Sequence, residues 1–376
     1  MNKKISILGL AIAALLASCS NDDHSSVGNI NHNIGNSDVK IKLATGNGTS
    51  TRASIESDEF GTFEANGLGI FCLAKGSLGV NPTELPIDWT PGVEETEYSV
   101  WMDNVESDAV YNEGTTSTDI VWTDGITRYY PTGNWHSYRF YGYYPYQSSI
   151  NATATQRNVD FVIDGTQDII WGKTDVSDES LAYCAKFFRD PIYKDETPSI
   201  TFKHKLMRFT FSTVPGVDGN GSIEPALKMG IESIAIKSVP TTANLIIADK
   251  ANKENEGVIT FDWNNNLADF TLLEADDQPL GADYWVQPTE TRIGGGILLP
   301  VPVEPGFRYY VDVVLKDKSG NIFQPEHPME IRNSQEFEEG KSYNIRMTIN
   351  GPKEIEVKAT LNAWVEDDTT IGGLEF

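Results

Sequence analysis

Leu16-Ala17-Ser18-Cys19 is the stretch of this 376-residue sequence whose residue types and spacing most directly prescribe a covalent chemistry. Small residues before a cysteine, at the end of an apolar run, are what lipoprotein processing requires. The chain would be cut between Ser18 and Cys19, and Cys19 would carry lipid on its thiol and amine. Lys3 and Lys4 supply the positive start, and Ile5 to Leu16 the apolar run, too short for a bilayer-spanning helix of ~20 residues. Residues 1–18 therefore read as a lipoprotein signal peptide. The remaining chemistry-bearing residues form no catalytic pattern. His24 and His32 lie in a polar leader, His136 in a turn, and His204 alternates along Phe202–Leu206 as a structural strand histidine would. There is no Gly-x-Ser-x-Gly elbow, His-Glu-x-x-His helix or Cys-x-x-Cys pair. Gly294-Gly295-Gly296 lacks the helix or lysine of a phosphate cradle, and paired carboxylates carry no information in so acidic a chain. The sequence reads as a non-enzyme, with no catalytic residues, no cofactor and no metal. Cys72 and Cys184 sit in apolar strand contexts; a disulfide is open to them, and two buried free thiols are favoured.

Formal charge is −25, and −27 once the signal's two lysines are gone; 376 less 18 residues leaves 358. So acidic a surface repels phosphate backbones, which excludes nucleic acid, and it offers no polybasic patch for lipid, so attachment rests on Cys19. Ser20-Asn21-Asp22-Asp23 resembles the acidic tag of lipoproteins displayed outside an outer membrane. A mature chain of this length suggests two domains.

The elements around these residues are nearly all strands. Residues 19–37 read as a flexible tether. Val39-Lys40-Ile41-Lys42-Leu43 alternates as a strand with one buried face, and residues 44–54 read as an exposed glycine-bearing loop with a single arginine, Arg52. Strand patterns recur at 68–74, 119–122, 138–144, 159–163, 200–214, 231–239, 244–248, 284–286, 297–303, 309–316, 342–349 and 355–365. No long amphipathic helix is evident. The pattern predicts an all-β chain of two β-sandwiches, 38–196 and 197–376, divided at the proline-bracketed stretch Arg189–Pro198. Trp122, Tyr129, Tyr130, Trp135 and the run Tyr138–Tyr146 invite a sugar-stacking platform. The competing and favoured explanation is a strand buried on both faces, since aromatics fill both registers.

The ordered motifs resemble the Bacteroides-type fimbrillin family of pilus subunits and related surface lipoproteins. They are the Leu16–Cys19 lipobox, Phe63–Phe71, Tyr129-Tyr130-Pro131, Phe140–Pro145, Asp168–Gly172, Ile200–Leu206 and Phe337–Tyr343 leading to a strand with Trp364. The resemblance implies two tandem transthyretin-like β-sandwich domains, lipoprotein export to the outer membrane, and fimbrial subunits as partners at the cell surface. It implies further that an arginine-specific protease cuts the loop after the first strand, here between Arg52 and Ala53. A neighbour's C-terminal strand then fills the vacated groove and serves adhesion. The donor would be Ile355, Val357, Ala359 and Leu361, which share one face, or else the tail 369–376. The alternative is a non-polymerising surface lipoprotein that binds glycans through the aromatic cluster.

Overall fold

The computed structural model describes residues 37–45, 65–77, 88–90, 99–111, 118–131, 136–174, 183–274, 277–302, 306–331, 336–352 and 354–362. Up to residue 204 its strands are β1 (Ala44–Thr45), β2 (Ala65–Ser77), β3 (Val100–Tyr111), β4 (Thr118–Trp122), β5 (His136–Tyr144), β6 (Asn151–Ala152), β7 (Gln156–Val162), β8 (Ile170–Thr174) and β9 (Ser199–His204). The five-residue helix α1 (Ala185–Arg189) precedes β9. Then come β10 (Met207–Pro215), β11 (Met229–Pro240), β12 (Thr242–Asp249), β13 (Ile259–Phe261), β14 (Leu267–Thr271), β15 (Thr291–Leu299), β16 (Tyr310–Asp317), β17 (Ile322–Phe323), β18 (Met329–Glu330), β19 (Ser342–Gly351) and β20 (Glu354–Asn362). The chain is all-β, as expected. Among the described residues no helix is long and apolar enough to cross a membrane.

The first sheet closes on itself in the order β1-β4-β3-β2-β5-β8-β9, with β1 joining its two ends. Its interior holds Ile70, Cys72, Phe140, Tyr144, Ile170, Ile200 and Phe202. A second core lies between the sheet β15-β10-β19-β20 and the sheet built on β11, β14 and β16. Alternation explains its filling: Tyr343, Ile345, Met347 and Ile349 of β19 point inward while Asn344, Arg346 and Thr348 are less buried. Phe209 on β10 meets Tyr309 across this core with ring centroids 5.5 Å apart.

The sheets do not part at residue 196. β9 begins at Ser199 and completes the barrel, whereas β7, well before that point, pairs with β12 in the sheet β13-β12-β7-β6. The polar, proline-bracketed stretch is the turn between α1 and β9, so its composition marks a surface crossing within one sheet. All described residues fall in one compact unit, Gly35–Phe376.

Candidate functional site

The segment from Ser37 to Thr45 is the seam of the barrel. Tyr130 N donates to Val39 O at 2.9 Å, Ile41 N to Arg128 O at 2.9 Å, and Ile120 N to Leu43 O at 2.9 Å. A bridge links Lys40 with Tyr129, and β1 then runs antiparallel to β4 and parallel to β9, each over two residues. The regular ladder thus falls at Ala44–Thr45, just past the expected strand 39–43. Those five residues are extended but face two offset stretches, 128–130 and 118–120, in turn. Of the loop predicted at 44–54, Ala44 and Thr45 lie in the sheet, and the rest lies outside the described residues.

Alternation makes this segment a plug. Ile41 and Leu43 are 1% and 2% exposed and join the barrel core, with Val39 packed against it, while Lys40 and Lys42 face solvent. Beneath them lie Ile120, Trp122, Ile200 and Tyr130, whose hydroxyl burial pushes well above its ordinary pKa. Outside, Arg189 at the end of α1 reaches Asp38 at 3.0 Å in an exposed ion pair. The hydrogen bond from Arg189 holds the Asp38 carboxyl below its usual value. The pair is therefore intact above the carboxylate range and lost as pH falls through that lowered value. Two-residue ladders, three hydrogen bonds of the flanking residues 39–43 and one exposed ion pair are, among the described residues, a narrow attachment for a segment that closes a sheet.

The other residues singled out from sequence fall as follows. Ser18, Cys19, the tether, Arg52, Ala53, Trp135, Trp364 and the tail 369–376 lie outside the described residues. Ile355, Val357, Ala359 and Leu361 lie on β20, which pairs antiparallel with β19 from Ser342↔Asn362 to Gly351↔Glu354. Ala359 is buried, Ile355 and Val357 pack partly against the core, and Leu361 is 43% exposed. All nine residues of β5 are buried: Tyr138, Phe140 and Tyr144 in the barrel, Tyr141 and Tyr143 in the second core. Those side chains offer no face to a sugar, which removes the platform on this strand. His204 pairs with Asp168 in the interior. Cys72 and Cys184 are free and buried, and burial raises both thiol pKa values. Neither is expected to react with a thiol-specific reagent until denaturant is added, as mass mapping of labelled peptides would show.

Strand order and site define an all-β protein whose first sheet is closed by its own N-terminal segment. The sequence matches the fimbrillin-like family over residues 51–364, and the chain belongs to that family. Its fold is similar to a candidate cell adhesion protein from Bacteroides uniformis, at 16% identity and a TM-score of 0.48, over 87% of this chain and 98% of that one. It is also similar to a fimbrial protein from Bacteroides vulgatus, at 12% identity and a TM-score of 0.44, over 87% and 99%. A third similarity is to the tip fimbrial protein Mfa3 from Porphyromonas gingivalis, at 9% identity and a TM-score of 0.35, over 86% and 100%. Comparison with curated proteins finds no match.

Proposed function

We propose that this chain is a subunit of a surface fimbria, exported as an outer-membrane lipoprotein through Cys19 and assembled by strand exchange. Residues 39–45 hold the place of a strand that a neighbouring subunit later supplies. Membership of the fimbrillin-like family supports the pilus role, and one observation carries the exchange: Ile41 and Leu43 fill the barrel seam from a segment bound by very short ladders. Losing that segment would bare the edges of β4 and β9 and an apolar trough above Ile120 and Ile200, which an added strand would cover. The cut is placed between Arg52 and Ala53, so one event would free lipid anchor and plug together. The donor is placed in the C-terminal stretch. Ile355, Val357, Ala359 and Leu361 would have to leave β19 to serve; the tail 369–376 is the other candidate. The partners are other subunits, the role is adhesive, and no catalysis is assigned.

Treatment with an arginine-specific protease tests this. Expected is a cut after Arg52, loss of the 37–45 segment, and a ladder of high-mass oligomers that collapses on heating; Arg52→Ala should abolish both cut and ladder. A chain fully cut at Arg52 that stays monomeric would sink the exchange.

A further inference from the structure

We infer that the uncut subunit self-associates through β20, edge to edge, as an antiparallel two-fold dimer centred on Val357. The strand is the last of its sheet, and among the described residues its only ladder is with β19. The opposite end of the sheet differs, since Leu273 bridges Gly296 and accepts from Gly295 N at 2.9 Å, partly closing the β15 edge. A nine-residue strand whose second edge carries no ladder among the described residues is a template for another strand.

Its residues say which strand fits. Ile355, Val357 and Ala359 face the core side, and Glu356, Lys358 and Thr360 face solvent. Side chains opposite one another in an antiparallel pair point to the same face, so self-pairing must centre on a residue and not between two. Centring on Glu356 or on Lys358 sets like charges directly across the axis, and centring on Ile355 sets no carboxylate opposite Lys358. Centring on Val357 sets Glu356 opposite the second copy's Lys358, twice by symmetry, and Ile355 opposite its Ala359. A second copy is thus the occupant this edge complements.

The free subunit carries a defect that the dimer repairs. Lys358 stands directly opposite Arg346 of β19, two cations side by side, and Arg346 is paired only at 3.6 Å with Glu290. Among the described residues neither Glu356 nor Lys358 makes an ion pair. In the dimer each Lys358 would lie between Arg346 and an incoming Glu356. Pairing would also extend the sheet beneath the half-buried Ile355 and Val357. The contact is confined to one strand, so a weak, concentration-dependent dimer is the form to look for.

Sedimentation velocity over a concentration series tests this on the uncut full chain, with no protease present. Expected is a reversible monomer–dimer equilibrium that Glu356→Lys and Lys358→Glu each weaken by about tenfold, as two attractive cross-strand pairs turn repulsive. Mixing the two variants should restore association as a heterodimer, because their charges complement across the same axis. Val357→Cys should form a disulfide-linked dimer under mild oxidation, since the axis sets that position against its own copy, while Ile355→Cys should not. A monomer at every concentration, or a dimer indifferent to both charge reversals, overturns the inference. Strand exchange is read separately, after cleavage, so the two can fail independently.

Discussion

Leu43→Ala should lower the unfolding free energy by about 2–4 kcal/mol, and the double variant with Ile41→Ala should lose little more. Each side chain is almost wholly buried in the barrel core, and truncating it forfeits its transfer energy and leaves a cavity. Two independent core positions would add. These share a segment held by two short ladders, so once one is truncated the cheapest response is release of residues 37–45 as a unit. The cost then saturates at the free energy that docks the segment. Hydrogen exchange locates the loss: the amides of Ile41, Ile120 and Tyr130, which bond across the seam, should exchange about 30- to 1,000-fold faster. Amides of β11 and β16 in the second core should hold their rates. Lys40→Ala and Lys42→Ala, whose side chains face solvent, should stay within ~0.5 kcal/mol of the parent. Strict additivity of the two core substitutions, or a uniform rise in exchange, would show that the segment is part of the global fold and no separable plug.

The same segment shows why the sequence could be read where it could. The alternation of Val39, Ile41 and Leu43 with two lysines survives whatever the neighbours are, because side-chain period follows from the strand itself. Which strands flank it does not follow from period, and the parallel pairing of β1 with β9 joins positions more than 150 residues apart. β3 carries no legible period for a related reason. Asp103, Asn104, Glu106 and Asp108 interrupt it, and irregularities in its register against β2 break the alternation that would have marked it. The stretch 200–214 reads as one strand but is two, β9 and β10, divided at Lys205-Leu206, and they belong to different sheets. In β5 the aromatics fill both registers, and only the packed structure shows each register facing its own core. Residues 284–286 read as a strand and carry only a single bridge, Trp285 with Gly230.

Arg157→Ala should cost about 3–5 kcal/mol and lower the stability of both cores together. Its side chain is fully buried on β7, in the sheet with β12, yet it reaches Asp103 of β3 in the barrel. Nε and Nη2 donate to the Asp103 carboxylate at 2.8 and 3.2 Å, and Nη2 also donates to Trp89 O at 2.7 Å. Nη1 donates to Thr153 O at 2.8 Å. Removal would leave a carboxylate and two carbonyls without their donor, besides a cavity the size of a guanidinium. Arg157→Lys should recover little, because a single ammonium cannot reproduce the planar fork. Asp103→Asn should cost a comparable amount, because it leaves the wholly buried Arg157 guanidinium without its counter-charge, whereas the carboxylate left behind in Arg157→Ala is partly open to water. Arg157→Met with Asp103→Leu should regain part of the loss, since no uncompensated charge then remains. Urea unfolding followed by tryptophan fluorescence should show one cooperative transition in the parent, shifted as a whole in Arg157→Ala. Trp171 Nε1 bonding Ile247 O at 3.0 Å and Tyr141 bonding Glu256 at 2.9 Å are further ties across the same boundary. Two separate transitions in the parent would mean that these contacts do not couple the cores, and that strand exchange could loosen the barrel without the second core sensing it.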